Sequence, residues 1–213
     1  MSERKPTLRE RQRAETRRAL QAHAVRLFTE RGYDAVPVTD IAEVAGVSAM
    51  TVYRHFPTKE DLVLVDQPAL LVAERVAATP PTWPPVRRVG SALVAAATDL
   101  TGDDGEGGRA NERFLLDCLR LMVSTPALRA RHLDSQYALQ EAVVQALGPP
   151  PDPETGFRVR AVTSACLAAL HTALTHWAAE DGRPDLPTLI AQALTASFGP
   201  TALDPTGAAD PLP

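Results

Sequence analysis

The chain has little of what several protein classes need. It holds two cysteines in 213 residues, and only 5% of its residues are aromatic. Cys118 and Cys166 each stand alone in an apolar helical context, so neither a CxxC motif nor a thiolate metal cluster is available. Both are expected to be buried small hydrophobic residues, and a disulfide between them is not expected in a reducing compartment.

Long apolar runs and strand patterns are also missing. No stretch of about 18 apolar residues occurs, and the basic N-terminus is not followed by the apolar segment of a signal peptide. The sequence therefore predicts a cytoplasmic protein with no membrane partner. Alternation of β-branched and aromatic residues is almost absent, whereas runs rich in Ala, Leu, Arg and Glu favour helices. The expected fold is all-α, with about nine helices.

Residue clusters that carry catalysis are lacking as well. No paired carboxylates, nucleophile elbow or His-Cys-Asp group stands at useful spacing. The glycine-rich loop at 102–108 has no lysine and follows no strand, so it is not a phosphate loop. His171 and His176 lie about 140° apart around a helix, which is poor geometry for one metal ion. The sequence predicts no enzyme, no cofactor and no metal site.

Residues 38–56 are the most informative stretch, because they predict two short helices around an Ala-Gly-Val-Ser turn. Gly46 supplies a turn conformation that a residue with a Cβ adopts only at a cost. Ser48 is a favourable cap for the second helix. Val52 and Phe56 lie four residues apart and bury one face of that helix. This is the pattern of a DNA-reading helix-turn-helix.

The side chains left on the other face of the second helix suit contact with DNA. Small Ala49 and Thr51 allow close approach to base edges, whereas Tyr53 and His55 carry donors suited to phosphate oxygens. Lys59 repeats that chemistry one turn later. The candidate DNA-binding residues are Thr39, Ser48, Ala49, Met50, Thr51, Tyr53, Arg54, His55 and Lys59.

The charge distribution supports this reading of the N-terminal end. The whole chain has a formal net charge of −4, but residues 1–60 carry +3 and residues 61–213 carry −7. Seven basic residues crowd the first 18 positions: Arg4, Lys5, Arg9, Arg11, Arg13, Arg17 and Arg18. Residues 1–13 are interpreted as a basic arm. The arm either contacts phosphates or a minor groove, or is a solvated tail that aids solubility.

An ordered set of residues runs through this end of the chain. It comprises Leu27-Phe28, Gly32-Tyr33, Ile41-Ala42, Ala45-Gly46-Val47-Ser48, Thr51-Val52-Tyr53, His55-Phe56, Lys59 and Leu62. The set resembles that of the TetR/AcrR family of bacterial transcription regulators. The resemblance implies a helix-turn-helix domain over 14–66, with the motif at 37–56, and a helical effector-binding and dimerisation domain over 67–198. Residues 199–213 are expected to be a disordered tail.

One departure from the family pattern concerns the start of the second helix. Pro37 stands where a hydroxyl residue is common, so the cap and any phosphate contact there are expected to pass to Thr39. Thr58 is expected to cap the fourth helix, which Pro68 should bend or restart after Gln67. The other helices are predicted over 10–31, 38–45, 49–55, 86–101, 110–124, 127–147, 155–180 and 186–198.

The resemblance implies a homodimer formed through residues 155–198, which would read an inverted repeat in double-stranded DNA. Two stretches of small and apolar residues agree with it, although both could instead complete a monomer core: Ala161, Ala165, Ala168, Ala169 and Ala173, and Leu186, Leu189, Ile190, Ala193, Leu194 and Phe198. The implied function is a repressor released by a small, largely apolar effector of unknown identity.

The candidate residues for the effector pocket are polar or polarizable side chains within apolar helices. They are Trp83, Phe114, Cys118, Met122, Tyr137, His171 and Trp177. The alternative is that each is a core residue, as aromatic and Met residues at helical spacing usually are. Two other functions stay open. One is a helical enzyme or carrier whose N-terminal unit only docks partners, and the other is a ligand-insensitive DNA binder with little sequence preference.

Overall fold

The computed structural model describes residues 7–64, 68–102 and 106–203, and within them it contains nine α-helices, one 3-10 helix and no strand. The all-α expectation is confirmed. The helices are α1 Leu8–Arg31, α2 Val38–Val44, α3 Ala49–His55, a 3-10 helix at Glu60–Leu62, α4 Pro68–Ala78, α5 Pro85–Thr101, α6 Glu106–Ser124, α7 Pro126–Leu147, α8 Pro153–Ala179 and α9 Leu186–Phe198.

The chain divides into two compact units. The first comprises residues 1–65 together with 121–129, and the second comprises 66–120 and 130–213. In the first unit, α1 buries Leu20, Ala24 and Phe28, which recur every four residues and so form one apolar face. Ile41 of α2 and Val52 of α3 are buried as well. The core of this unit therefore holds the two short helices against the long one.

Helix α1 begins earlier than the sequence predicts. Its first residue is Leu8, so the part of the expected basic arm from Leu8 to Arg13 is helical. The helix thus starts two residues before the predicted residue 10, because the helical pattern extends further into the arginine-rich segment. Arg4 and Lys5 lie outside the described residues.

The expected cap of α2 is also wrong. Pro37 occupies the N-cap position and makes no side-chain capping hydrogen bond. Thr39 lies inside the first turn of the helix and is exposed. Helix α2 is thus preceded by a proline whose fixed φ suits the extended N-cap conformation, and not by a capping hydroxyl.

Thr58 does not cap a long fourth helix. The backbone N–H of Thr58 donates to Asp61 Oδ2 at 3.0 Å, and the N–H of Asp61 donates to Thr58 Oγ1 at 3.3 Å. This reciprocal pair closes a turn around the short 3-10 helix. Helix α4 begins at Pro68, where a missing N–H costs no intrahelical bond. The predicted restart at this proline is confirmed, and Gln67 itself lies outside the described residues.

In the second unit, α5 packs against α4, α8 and α9, and α8 packs against α9. Gly90 allows the close approach of α5 and α9, since a Cβ there would lie 3.1 Å from Leu194 Cδ1 and 2.7 Å from Leu203 Cδ2. Residues 200–202 precede that contact, and Ala202 is buried. The expected disordered tail therefore does not begin at residue 199, and residues from 204 onward lie outside the described part.

A buried arginine connects three helices of the second unit. Arg88 of α5 donates to the carbonyl oxygen of Val76 near the end of α4 at 3.1 Å and to that of Leu147, the last residue of α7, at 3.2 Å. Its Nε donates to Thr79 Oγ1 at 2.8 Å. Burial lowers the pKa of this guanidinium. The positive charge lies where the C-terminal dipoles of two helices favour a cation.

Cys118 and Cys166 are both buried free thiols, as predicted. No helix among the described residues combines the length and the apolar character needed to cross a bilayer.

Candidate nucleic-acid interface

The turn between α2 and α3 is fixed by local hydrogen bonds. The N–H of Val47 donates to the carbonyl oxygen of Ala42 at 2.9 Å, and Gly46 has a φ of +67°, in the left-handed region. Ser48 caps α3, with its Oγ accepting from the N–H of Thr51 at 3.1 Å. The predicted cap and turn are therefore both present, and they set the direction in which α3 leaves α2.

Helix α3 presents most of its length to solvent. Val52 is buried, whereas the side chain of Met50 is 77% exposed and that of Tyr53 is 46% exposed. Among the other candidates, Thr39, Ser48 and Arg54 are exposed, and Ala49, Thr51, His55 and Lys59 are partly exposed. The structure thus leaves every residue of the proposed DNA-binding set accessible to some degree.

An arginine of α1 holds the C-terminal end of α3. Arg17 donates to the carbonyl oxygen of His55, and its Cζ lies 4.1 Å from the centroid of the Phe56 ring. Burial lowers the pKa of Arg17, an effect that the charge of Asp61 opposes. Sequence reasoning grouped Arg17 with the basic arm, but in the structure its charge anchors one helix to another.

A cleft opens where the first turns of α1 meet the end of α3. It has a volume of about 300 Å³ and is lined by Gln12, Arg13, Thr16, Arg54 and His55. Burial lowers the pKa of His55, and the charges of Arg13, Arg54 and Arg17 lower it further. The sequence pointed to Arg54 and His55, and it placed Arg13 in the basic arm. It missed Gln12 and Thr16, because nothing local indicates which side of α1 meets α3.

Lys59 has structural partners of its own. Its Nζ donates to the carbonyl oxygen of Tyr33 at 2.6 Å and lies 4.3 Å from the centroid of the Tyr33 ring. The Tyr33 hydroxyl in turn donates to Glu60 Oε1 at 2.9 Å. Burial and this carboxylate raise the pKa of Tyr33. Any contact of Lys59 with a phosphate would therefore compete with, or add to, its hydrogen bond to the Tyr33 carbonyl and its contact with the Tyr33 ring.

The seven effector-pocket candidates differ in their surroundings. Met122 belongs to the first compact unit, whereas the other six belong to the second. Trp177 and Cys118 are buried, and the indole N–H of Trp177 donates to the carbonyl oxygen of Pro184 at 2.9 Å. Tyr137 is 69% exposed, so its side chain lies on the surface of the unit.

The remaining candidates, Trp83, Phe114 and His171, are half-buried. The guanidinium of Arg87 lies over the Trp83 ring, 3.5 Å from its centroid. His171 stacks on His132 of α7 with ring centroids 5.4 Å apart. Its Nδ1 is buried and has no hydrogen-bond partner among the described residues. Sequence reasoning missed His132, since the contact joins two helices that are distant in the chain.

Comparison with known proteins gives a consistent result for both halves of the chain. A family model described as bacterial regulatory proteins, tetR family, matches residues 20–65. A second model, described as the MftR C-terminal domain, matches residues 83–197, which is more than half of the chain. The first match contains the helix-turn-helix and the second contains α5 to α9.

Individual proteins match this chain at modest sequence identity. The HTH-type transcriptional regulator TcmR of Streptomyces glaucescens is 32% identical over 130 residues, a match that covers 60% of this chain and 57% of TcmR. The match thus spans little more than half of that relative.

Solved structures show the same fold at lower identity. A complex of SmeT, a repressor from Stenotrophomonas maltophilia, with triclosan superposes with a TM-score of 0.57 at 18% identity, covering 93% of this chain and 99% of SmeT. FadR of Thermus thermophilus, in complex with lauroyl-CoA, gives a TM-score of 0.50 at 21% identity, covering 92% and 98%.

Proposed function

Since this chain belongs to the tetR family of bacterial regulatory proteins, we propose that it represses transcription as a homodimer bound to an inverted repeat and leaves the DNA when a small effector binds. The observation that carries the proposal is α3, a capped helix fixed at both ends whose polar and small side chains face solvent. An exposed helix with this composition suits the major groove.

The two ends of α3 have different proposed roles. At the N-terminal end, Ala49, Met50 and Thr51 are placed to meet base edges, and the methyl and hydroxyl of Thr51 suit both apolar and polar contacts there. At the C-terminal end, Tyr53 and His55 are proposed to donate to phosphate oxygens, which position the helix but carry no sequence information. Specificity therefore resides in the first turn and affinity in the last.

The surface of α8 supports the proposed dimer. Phe157 is 73% exposed, and Ala161, Ala165 and Ala168 are exposed at helical spacing behind it. A second copy of the chain would bury this apolar surface. The apolar residues of α9 are less available for a dimer contact, because Leu194 among them is fully buried in the core of its own chain. The proposed interface therefore rests on α8 and on the exposed side of α9.

The effector is proposed to bind in the second unit. The relatives of known structure described above hold triclosan in one case and lauroyl-CoA in the other, and both compounds have a large apolar part. Of the candidate residues, Tyr137 lies on the surface and Trp83, Phe114 and His171 are half-buried, so these four are accessible to a ligand. The proposed mechanism is a population shift, in which the effector favours a conformation of the dimer that no longer fits the operator.

The test begins with selection of binding sites from random-sequence duplex DNA by the purified protein, at physiological salt with unrelated competitor. Enrichment of an inverted repeat would support a specific repressor. Enrichment of no sequence, with weak binding to all DNA, would favour the ligand-insensitive binder, and no binding at all would favour the docking module.

Two substitutions then test the roles assigned to α3. Thr51→Ala is expected to relax base preference at one position in each half-site, with a discrimination loss of about 1–2 kcal/mol. Tyr53→Phe is expected to weaken binding to all sequences about equally. Tyr137→Phe removes the same hydroxyl from an exposed position in the second unit and serves as the control. Unchanged binding by both α3 variants would contradict the assigned contacts.

A further inference from the structure

A buried hydroxyl group in the second unit lacks a hydrogen-bond partner. The side chain of Thr163 on α8 is fully buried, and its Oγ1 makes no hydrogen bond among the described residues. Six other helical threonines donate to the carbonyl oxygen four residues earlier: Thr16, Thr29, Thr98, Thr101, Thr172 and Thr175. Thr163 does not use this local acceptor, although a buried polar group without a partner lowers stability.

A second atom of this kind lies about two turns further along the same helix. The Nδ1 of His171 is buried and has no partner in the part of the chain that the structure describes. Helix geometry places His171 about 12 Å from Thr163 along the axis and about 80° around it. Leu167 is midway between them and is buried. This side of α8 therefore has a polar atom at each end and an apolar residue in the middle.

The neighbouring helix α7 leaves room along this side. Helix α8 packs closely against α9 and α5, whereas the backbone of α7 keeps a larger distance from it over the described residues. Long side chains bridge that distance, with His132 stacked on His171 at one end and Arg160 paired with Glu141 at the other. Thr163 lies between these two contacts in the chain. A ligand can separate helices joined in this way by shifting side chains, without disrupting backbone packing.

We infer that this side of α8 binds the effector, and that the effector is an elongated, uncharged molecule with an apolar middle and a hydroxyl group toward each end. A hydroxyl group both donates and accepts, so it can pair with the hydroxyl of Thr163 and with Nδ1 of His171 in either tautomer. The inference rests on the proposed function and deepens it, because it gives the chemical class of the effector and two residues that select it.

The surrounding charges favour an uncharged ligand. The buried polar side chains among the described residues of the second unit are Arg87, Arg88 and Thr163. The guanidinium of Arg88 donates to three oxygen atoms, and that of Arg87 lies over the Trp83 ring. The imidazole of His171 faces a second imidazole rather than a carboxylate. An ionised group between Thr163 and His171 would lose its hydration without gaining a counter-charge.

The first experiment distinguishes this role of Thr163 from a bond to an ordered water. A buried water needs several polar partners, whereas Cys166 and Leu167, the neighbours of Thr163 one turn along α8, are apolar. Thr163→Val is therefore expected to give a Tm equal to or above that of the wild type in the ligand-free protein. The control Thr98→Val makes the same substitution at an exposed position of α5. A Tm of Thr163→Val below those of the wild type and the control would show that the hydroxyl already has a partner, and would overturn the inference.

The second experiment measures binding of three rigid probes that differ only in their hydroxyl groups: stilbene, 4-hydroxystilbene and 4,4′-dihydroxystilbene. Calorimetric titration of the DNA-free wild type is expected to show a Kd about tenfold lower for each added hydroxyl group. Equal affinity for all three probes, or binding of none, would overturn the assigned effector class.

Variants of the two residues then locate the hydroxyl contacts. Thr163→Val is expected to raise the Kd of the dihydroxy probe about tenfold and to leave that of stilbene unchanged, whereas Thr98→Val behaves like the wild type. His171→Leu should have the same effect as Thr163→Val, and His171→Asn, which keeps a polar atom near the position of Nδ1, should restore most of the affinity. Equal losses for stilbene and the dihydroxy probe would show a packing effect and overturn the hydrogen-bonding role.

The third experiment tests charge and separates the inference from the proposed function. Stilbene-4,4′-dicarboxylate has the same apolar middle with two anionic ends and is expected to bind at least about tenfold more weakly than the dihydroxy probe; tighter binding would overturn the uncharged class. Release of a selected operator by the dihydroxy probe from the wild type, but not from Thr163→Val, would support both proposals. A wild type that selects an operator and binds no probe would contradict the effector class alone, and one that binds the dihydroxy probe through Thr163 but no DNA would contradict the repressor alone.

Discussion

Arg88 shows how a single charged side chain organises one end of the second unit. Its guanidinium is buried and donates to the carbonyl oxygens of Val76 and Leu147 and to the hydroxyl of Thr79. These acceptors lie at or just beyond the ends of α4 and α7. Carbonyls at a helix C-terminus lack intrahelical partners. The arginine satisfies them with charge-assisted bonds, and the helix dipoles offset part of the cost of burying its charge.

Replacing this arginine is expected to destabilise the protein markedly. Arg88→Met keeps the length of the side chain but removes the guanidinium donor from the oxygens of Val76 and Leu147. The Val76 oxygen still accepts from the N–H and the hydroxyl of Thr79, so the expected cost is about 1–3 kcal/mol in the free energy of unfolding. Urea denaturation followed by circular dichroism measures the difference. Arg113→Met, at an exposed position of α6, is the control, and an equal loss in both variants would show that the hydrogen bonds of Arg88 contribute little.

At the scale of elements, the short turn between α2 and α3 is set by backbone conformation rather than by packing. Gly46 has a φ of +67°, and a Cβ built at this position meets nothing within 4 Å. Gly46→Ala is therefore expected to cost about 1 kcal/mol of stability through strain alone. Gly46→Asn should lose less, because asparagine tolerates this region.

Chemical denaturation of both Gly46 variants, monitored through the first unit, measures this difference. A Gly46→Asn variant that is less stable than Gly46→Ala would contradict the strain argument and indicate a steric conflict instead.

The elements that sequence reasoning predicted well are those whose limits are set locally. The bounds of α3 and α9 agree residue for residue with the predicted 49–55 and 186–198, because Ser48 and Asp185 supply side-chain caps at their starts. Helix α1 began earlier than expected, since no breaker separates the arginine-rich segment from the apolar pattern. Local signals thus gave most of the secondary structure.

The candidate site was predictable only in part, for a related reason. The exposed face of α3 follows from helical periodicity around Val52 and Phe56. The roles of Arg17 and Lys59 do not, because their partners His55 and Tyr33 are 38 and 26 residues away in the chain. Their charge alone indicated phosphate contacts, whereas in the structure both side chains donate hydrogen bonds to carbonyl oxygens within the first unit.

The contact between α7 and α8 makes stability depend on pH. Burial lowers the pKa of His132, and the neighbouring His171 lowers it further. Gln136 lies beside the same ring, at 2.9 Å from its Nε2. Because the folded-state pKa is below the ordinary value of 6.5, the unfolded chain binds a proton first as the pH falls. Stability is therefore full above about pH 7.5 and declines through about pH 6.

His132→Gln is expected to flatten this decline. The free energy of unfolding is measured at several pH values between 5.5 and 7.5 for the wild type, for His132→Gln and for the control His23→Gln on α1. Some decline should remain, since the pKa of His55 is also lowered. A profile of His132→Gln that matches both the wild type and His23→Gln would contradict the role of the stacked pair.

At the scale of the whole molecule, the two ends of the chain carry opposite charge. Residues 1–60 have a formal net charge of +3 and residues 61–213 one of −7. DNA attracts the first group and repels the second, so the field favours approach by the end that carries α3. The attraction is screened within about 10 Å at 0.1 M salt, and operator binding should weaken steeply above that concentration.

In the proposed dimer, operator binding by two copies depends on the surface that joins them. Ala168 lies exposed on α8, in line with Ala161 and Ala165, and a glutamate there would place two like charges at the proposed dimer interface. Ala168→Glu is expected to give a monomer in analytical ultracentrifugation and to weaken operator binding by at least about 100-fold, because one recognition helix alone reads half a site. Ala138→Glu, at an exposed position of α7, adds the same charge elsewhere and should remain dimeric. A dimeric Ala168→Glu variant that still binds the full operator would place the interface away from α8. A monomeric variant with undiminished affinity would show that operator binding does not require the dimer.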